Sequence, residues 1–305
     1  MTATTGAARP AIDGFAAAIM VGLTFSWGLN QVAIKITNAG YNPVFAVLLR
    51  SAIAFVLVFA WCRWRGISLL ARDGTLLPGI AAGALFGIEF ALIFLGLDHT
   101  TAARGALMIN TMPFWVLLGG HFLLGERITQ QKLWGLLLAF AGVVLVFSDE
   151  LSLPDPSAIW GDVMCLAAGV FWAATTLLIK GSRLSEASAE KILLYQLLVS
   201  AFFVIPFMPL AGPLLREVTP LATGALLFQG AFIVAFTYVL WFWLMRSYPA
   251  SGLSSFAFLT PAFGVILAGL LLNEPLSMRI FMALALIAAG LLVVNRPARR
   301  VPPGE

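Results

Sequence analysis

Charged side chains are scarce in this sequence. Asp, Glu, Lys and Arg make up 10% of the 305 residues, whereas 61% are hydrophobic. Soluble domains carry about 25% charged residues, so this composition is not that of a soluble protein. No hydrophilic stretch is long enough to fold as a domain of its own. The composition therefore indicates a bundle of helices whose main solvent is lipid.

Other features are also absent, and each absence removes a class of function. Both cysteines, Cys62 and Cys165, lie in apolar runs, which argues against a disulfide framework and against a metal site. No G-x-x-x-x-G-K-[ST] phosphate loop occurs, and no His, Asp and Ser cluster or channel-filter repeat is found. The basic residues are scattered at loop ends, which does not suggest nucleic acid. We therefore expect no cofactor, no metal and no catalytic site.

Apolar runs long enough to cross a bilayer, about 17–25 residues, recur along the whole chain. We count ten, at 13–36, 43–64, 76–97, 102–124, 130–148, 158–180, 190–210, 222–245, 250–272 and 276–295. If the N-terminus is cytoplasmic, thirteen of the 18 Lys and Arg fall on the inner side, as the positive-inside rule requires. This bias predicts an inner-membrane protein with both termini in the cytoplasm.

The two halves of the chain carry matching residues at nearly constant offsets. Pro113 and Pro261 are 148 positions apart, as are Glu126 and Glu274, and Gly142 and Gly290. Trp27 with Trp172, and Lys35 with Lys180, share an offset of 145. These matches predict a duplication into residues 1–150 and 151–305.

Each half holds five spans, so the second half must enter the membrane from the opposite side. The predicted fold class is an all-α polytopic membrane protein with ten transmembrane helices in two inverted-topology five-helix repeats. Secondary transporters with this architecture bind substrate near the membrane midplane, between the repeats.

The motifs also resemble a known family. "WGLNQVAIK", "NTMPFWVLL" and "LGERITQQKLWGLLLAFAGVVLV" resemble one EamA-type unit of the drug/metabolite transporter superfamily, and "LTPAFGVILAGLLLNEPLSMRIFMALALIAAGLLVV" resembles a second. The second unit departs from the pattern at Asn273 and Ala283. The resemblance implies a bacterial exporter of small metabolites, with the aromatic amino acid exporters as the most similar subgroup.

Polar side chains inside the spans are candidates for a transport pathway, because lipid does not solvate them. Asn30 on span 1 either lines that pathway or makes an interhelical hydrogen bond, and Gln31 is a weaker candidate. Arg50 and Glu89 have similar depths on neighbouring spans. They either form a buried ion pair or flank the cavity, where Arg50 would attract a carboxylate and Glu89 an ammonium or a coupling proton.

Aromatic side chains well inside the spans suit flat, apolar or cationic ligands. The complete predicted pathway set is Trp27, Asn30, Arg50, Glu89, Asn110, Trp115, Trp172, Thr176, Gln196, Tyr238 and Trp241. Pro113 and Pro261 are predicted hinges, because proline removes a backbone hydrogen bond within a helix. Glu126 and Glu274 precede helices, and we interpret them as structural.

These observations favour a secondary transporter that exports small amphiphilic metabolites, foremost aromatic or apolar amino acids, by alternating access. The alternatives are a carrier for lipophilic cations, an importer, a membrane enzyme or a channel. The expected partners are a small-molecule substrate and membrane lipid. The sequence does not decide the oligomeric state.

Overall fold

The structure is a computed structural model that describes residues 12–69, 73–148, 156–272 and 278–296. These residues form helices and connecting turns, and no β-sheet occurs among them. The first half holds α1 (Gly14–Gly40), α2 (Pro43–Arg65), α3 (Leu76–His99), α4 (Ala102–Ile109), α5 (Met112–Leu124) and α6 (Gln130–Val146). Glu274 and the predicted boundary at 150/151 lie outside the described residues.

The second half begins with α7 (Pro156–Gly181) and α8 (Ala189–Val204). A span then runs through α9 (Pro220–Phe228), a π-helical segment (Gln229–Thr237) and α10 (Tyr238–Ser247). It is followed by α11 (Ala250–Ser255), a short 3-10 turn, α12 (Leu259–Leu272) and α13 (Met278–Asn295).

Short polar side chains mark where several apolar helices begin. Each accepts a hydrogen bond from a backbone N–H of the first turn, which would otherwise have no partner within the helix. The capping residues are Asp13, Asn42, Thr101, Thr129, Ser188 and Thr219.

Eight helical stretches of the described chain are long and apolar enough to cross a membrane. They correspond to eight of the ten predicted runs. The run at 130–148 appears as the shorter apolar helix α6, and the run at 250–272 is divided into α11, the 3-10 turn and α12. The prediction of ten spans therefore stays a prediction.

The two predicted hinge prolines lie close to breaks in helices. The fourth span is interrupted at Asn110 and Thr111, and Pro113 is the second residue of the new helix α5. Pro261 is the third residue of α12, after the 3-10 turn Phe256–Phe258. Proline is tolerated in a first turn because those N–H groups have no intrahelical partner. A hinge motion at either proline stays a prediction.

Glycines on one face of α3 allow α8 to approach closely. A Cβ atom added at Gly79 would lie 2.5 Å from Cγ of Tyr195, and one at Gly83 would lie 2.5 Å from Cβ of Val199. Such contacts are closer than real Cβ atoms make, so only glycine fits. The glycines, spaced four residues apart, thus form a face for close helix packing.

Helices α6 and α13 pack with reciprocal contacts. A Cβ atom at Gly142 would lie 2.7 Å from Cγ1 of Ile287, and one at Gly290 would lie 2.7 Å from Cβ of Ala139. Gly142 and Gly290 are related by the 148-residue offset, and so are Ala139 and Ile287. Each contact is thus the counterpart of the other under the internal repeat.

Candidate functional site

A central cavity lies among α1, α3, α4, α7, α8, α10 and α12. Both halves of the chain line it.

Nine of the eleven predicted pathway residues line this cavity. They are Trp27, Asn30, Glu89, Asn110, Trp172, Thr176, Gln196, Tyr238 and Trp241. Six helices bring these residues together, although they are spread over 215 positions of the sequence. A role for any of them in substrate binding stays a prediction.

Two predicted pathway residues, Arg50 and Trp115, are not among the lining residues. The guanidinium of Arg50 is fully buried and lies over the ring of Phe90, with 3.6 Å between Cζ and the ring centroid, and Phe90 itself lines the cavity. The indole of Trp115 is 37% exposed, lines a second, apolar groove between α5 and α7, and donates to Oγ1 of Thr111. The direction of the Arg50 side chain could not be predicted from its position in the sequence.

Trp27 is at the centre of an aromatic cluster on the cavity wall. Its ring centroid is 5.8 Å from that of Trp172, 5.6 Å from that of Trp241 and 6.2 Å from that of Tyr238, all in edge-to-face geometry. Such geometry is favoured between aromatic rings. Trp27 and Trp172 are equivalent in the predicted repeat, so the repeat-related rings meet inside the cavity.

A hydrogen bond fixes the orientation of the Trp27 indole. Its Nε1 donates to Oγ1 of Thr237 over 3.0 Å, and the Thr237 hydroxyl donates to the carbonyl of Ile233. Thr237 is the last residue of the π-helical segment, and Tyr238 follows it directly. Such segments are rare and occur frequently at functional sites. Hydrophobic periodicity does not distinguish a π-helix from an α-helix, so the π-helical segment could not be predicted from the sequence.

The cavity holds several buried amide oxygens that accept no hydrogen bond from the described residues. They belong to Asn30, Gln31, Asn110 and Gln196. An amide oxygen buried without a partner is unfavourable, so a polar group in the cavity would stabilise this arrangement. The set includes Gln31, which the sequence analysis ranked below Asn30.

Glu89 and Arg50 are both buried, with side chains 3% and 0% exposed, yet they form no direct ion pair within 4.0 Å. No nitrogen of Arg50 has an acceptor within hydrogen-bond distance among the described residues, and the Tyr238 hydroxyl and the Glu89 carboxylate interact with it at longer range. Phe86 and Phe94 also lie near its guanidinium, with Cζ 5.9 Å and 5.5 Å from their ring centroids. The ring faces thus surround a cation that lacks a direct anionic partner.

Phe86, Phe90 and Thr260 also line the cavity and were missed in the sequence analysis. A signal for the two phenylalanines was present. Phe86 is three residues before Glu89, and Phe90 follows it directly, so all three lie on one side of α3. Starting from Glu89 and following this helical spacing would have found both rings. Thr260 has no comparable signal.

Polar contacts link the two halves at both ends of the bundle. At the end that carries His99, Arg216 pairs with Asp98 at 2.7 Å, and Arg104 pairs with Asp162. Hydrogen bonding to Asp98 raises the pKa of the Arg216 guanidinium.

At the opposite end, Oε2 of Glu126 accepts hydrogen bonds from Oγ of Ser251 at 2.5 Å and from Nζ of Lys132 at 3.3 Å. Glu126 therefore connects the α5–α6 turn to α11, in keeping with its interpretation as structural. Just before α3, hydrogen bonds from Lys191 and Thr75 hold the pKa of Asp73 well below its usual value.

Within the described ranges, no group of three or more His, Cys, Asp or Glu side chains could hold a metal ion. The candidate site consists instead of amides, hydroxyls, aromatic rings and one carboxylate.

Comparison with known proteins identifies the family. Residues 14–148 and 159–296 each match the model of the EamA-like transporter family. An "Uncharacterized transporter" of Archaeoglobus fulgidus is 31% identical over 254 residues, covering 81% of this chain and 86% of that protein. A "Probable amino-acid metabolite efflux pump" of Salmonella typhimurium is 28% identical, covering 94% of this chain and 98% of that protein.

A solved crystal structure has the same fold. It superposes with a TM-score of 0.78 at 22% identity, covering 94% of this chain and 98% of that one. Together with the apolar helices, these matches identify a multi-pass membrane protein that carries a small-molecule substrate. The resemblance predicted from the motifs is confirmed: the chain belongs to the EamA-like transporter family, within the drug/metabolite transporter superfamily.

Proposed function

We propose that this protein is a secondary transporter, not an enzyme, and that it exports small amphiphilic metabolites, foremost amino acids with aromatic or apolar side chains. Substrate passes through the central cavity by alternating access between two inverted five-helix repeats, residues 1–150 and 151–305. The ten predicted spans include α6 and the divided stretch 250–272.

One observation carries this proposal: Trp27 and Trp172, equivalent in the repeat, meet within the cavity at 5.8 Å between ring centroids. In an inverted-repeat transporter, the substrate site lies at the interface of the repeats. Equivalent residues can touch only near the axis that relates the two halves, so this contact supports a cavity at that interface.

The packing of α6 against α13 supports the same internal symmetry. Gly142 approaches Ile287 as Gly290 approaches Ala139. Reciprocal contacts of this kind are the signature of a two-fold relation, as in an isologous interface. Alternating access then follows if one repeat rocks against the other around the cavity.

The proposed location is the bacterial inner membrane, with both termini in the cytoplasm. The support is the distribution of Lys and Arg, thirteen of the 18 of which lie in segments assigned to the inner side. The polar contacts around Glu126 then belong to the cytoplasmic end, and the Arg216–Asp98 pair belongs to the outer end.

The choice of substrate rests on the cavity wall and on one group of relatives. Aromatic rings stack well on flat or apolar ligands. The relative from Salmonella typhimurium is named an amino-acid metabolite efflux pump. No phosphate loop occurs in the sequence, so we propose that the driving force is the substrate gradient or an ion gradient.

The test is transport by the purified full-length protein in liposomes. Radiolabelled phenylalanine should exchange with unlabelled phenylalanine trapped inside, and protein-free liposomes are the control. Absence of exchange for every amino acid tested would contradict the proposal. Imposed pH gradients of opposite sign would show the favoured direction and whether protons are coupled.

A second test addresses the two-repeat site. Residues 1–155 and 156–305 should transport nothing when expressed separately, and co-expression should restore measurable exchange. Exchange by one half alone, with that half shown to be monomeric, would contradict a site shared between the repeats.

A further inference from the structure

We propose that the central cavity recognises a positively charged nitrogen: it binds protonated primary amines through Glu89 and the surrounding aromatic rings, and it does not require a carboxylate on the ligand. This inference deepens the proposed transport function and rests on it for the identity of the site. It names the ligand as an aromatic or apolar amine, of which an amino acid is one case.

The charge of the cavity wall favours a cation. Glu89 is the one Asp, Glu, Lys or Arg among the described residues that line it. Arg50, the nearest candidate for binding a ligand carboxylate, lies over the ring of Phe90 and is fully buried. A ligand in the cavity therefore meets a carboxylate directly and a guanidinium only across a ring.

The cavity also has more unpartnered hydrogen-bond acceptors than donors. The side-chain oxygens of Asn30, Gln31, Asn110 and Gln196 are buried without a donor among the described residues, whereas the unpartnered donors are one amide nitrogen, Nε2 of Gln196, and one hydroxyl, that of Thr260. For Asn110 the orientation of the amide is fixed, because its Nδ2 donates to the carbonyl of Ala106 over 2.7 Å. Rotating this amide would place two oxygens against each other. A primary ammonium has three N–H donors and no acceptor, so it complements this set.

The aromatic wall of the cavity also favours a cation. Trp27, Trp172, Tyr238 and Trp241 form one edge-to-face cluster on the cavity surface. The faces of Trp and Tyr rings carry negative potential and attract cations within about 6 Å of their centroids. The same rings accommodate the apolar part of a ligand.

Phe86 and Phe90, which pack against Tyr238 of this cluster, already accommodate a desolvated cation. The Arg50 guanidinium lies over Phe90 with no acceptor within hydrogen-bond distance of its nitrogens among the described residues. If ring faces, with Tyr238 and Glu89 at longer range, hold this cation, then an ammonium in the cavity, in direct reach of the carboxylate, is held better. Because Arg50 and Glu89 are not in contact, the carboxylate is available to a ligand.

The test is equilibrium binding to the full-length protein in lipid nanodiscs at neutral pH, measured by titration calorimetry. Three probes share a phenyl ring and a two-carbon chain: 2-phenylethylamine is cationic, phenylalanine is zwitterionic and 3-phenylpropanoate is anionic. We expect the amine to bind at least as tightly as phenylalanine, and the anion to bind weaker by about tenfold or more.

Variants then assign the charge. Glu89→Gln should weaken binding of the amine by about tenfold or more. Asp162→Asn is the matched control, since it makes the same change in a buried carboxylate that pairs with Arg104 and does not line the cavity. Its affinity for the amine should stay within about twofold of the unmodified protein.

Binding of 3-phenylpropanoate as tight as that of the amine would overturn the proposal, and this result needs no variant to fold. Unchanged amine affinity in a folded Glu89→Gln protein would overturn it as well. Both outcomes are independent of the transport assay. Exchange of phenylalanine without amine binding would refute only this inference, whereas amine binding without any exchange would refute only the transport function.

Discussion

Replacing Arg50 by Met and Glu89 by Gln, singly and together, measures the electrostatic energy between two buried charges that do not touch. Both side chains are almost completely buried, and their charged atoms are more than 4.0 Å apart. With an effective dielectric constant of about 20, two unit charges attract by about 4 kcal/mol at 4 Å and by about 2 kcal/mol at 8 Å.

The double-mutant cycle separates this attraction from the contacts of Arg50 with aromatic rings. Loss of the contact with Phe90 lowers stability in every variant that lacks Arg50, whether or not Glu89 is present, and it therefore cancels from the coupling energy. What remains is the interaction of Arg50 with Glu89. We expect each single variant to be destabilised, and the double variant to be more stable than the sum of the two by up to about 4 kcal/mol.

The measurement is the free energy of unfolding in mixed micelles of a mild and a denaturing detergent, with circular dichroism as the signal. Arg50→Met combined with Asp162→Asn serves as the control pair, because Asp162 is bound to Arg104. That pair should be additive within about 0.5 kcal/mol. Equal additivity for Arg50 and Glu89 would show that their charges do not interact, and the electrostatic reasoning about this site would fail.

Three further predictions test the packing, the aromatic cluster and a charge at a bundle end. Gly83→Ala should lower the free energy of unfolding by about 1–3 kcal/mol, because its Cβ has no room against α8, whereas Gly22→Ala, with nothing within 4 Å, should not lower it. Thr237→Val leaves the buried N–H of Trp27 without its acceptor and should cost about 1–3 kcal/mol, measured as above together with a change in tryptophan emission. The pKa of Asp73 is lowered in the folded state. Its ion pair therefore stabilises the protein fully at any pH above the pKa of Asp in the unfolded chain, about 3.9, and this stabilisation is lost as the pH falls further. The melting temperature of Asp73→Asn should therefore differ from that of the unmodified protein by a constant amount from pH 8 to about pH 4, and the difference should shrink below; a difference that shrinks already near pH 6 would contradict the lowered pKa.

Much of the architecture could be predicted from the sequence because the bilayer imposes length and polarity on each helix. The runs at 43–64 and 76–97, for example, correspond to Pro43–Arg65 and Leu76–His99. Interruptions were harder to predict. Pro113 predicted a break in the fourth span. No residue pattern predicted the π-helical segment before Tyr238, because the wider turns of a π-helix need no particular residue types.

For the site, the proximity of two buried charges was predictable and the direction of their side chains was not. The sequence predicted similar depths for Glu89 and Arg50, and either contact with each other or shared access to the cavity. In the structure Glu89 lines the cavity, whereas Arg50 turns toward the rings of Phe86, Phe90 and Phe94. Which side of α2 meets α3 depends on long-range packing, which a single sequence does not encode in a readable pattern.

The predicted repeat accounts for a site that is symmetric in its rings but asymmetric in its charges. Trp27 and Trp172 are equivalent in that repeat and their rings meet in the cavity. Glu89 has Thr237 as its counterpart at the 148-residue offset, and Thr237 accepts the Trp27 hydrogen bond. Only the first half thus places a carboxylate in the described cavity wall. A ligand held through a cationic nitrogen would consequently contact Glu89 of the first half, and its apolar part would lie against two tryptophans, one from each half.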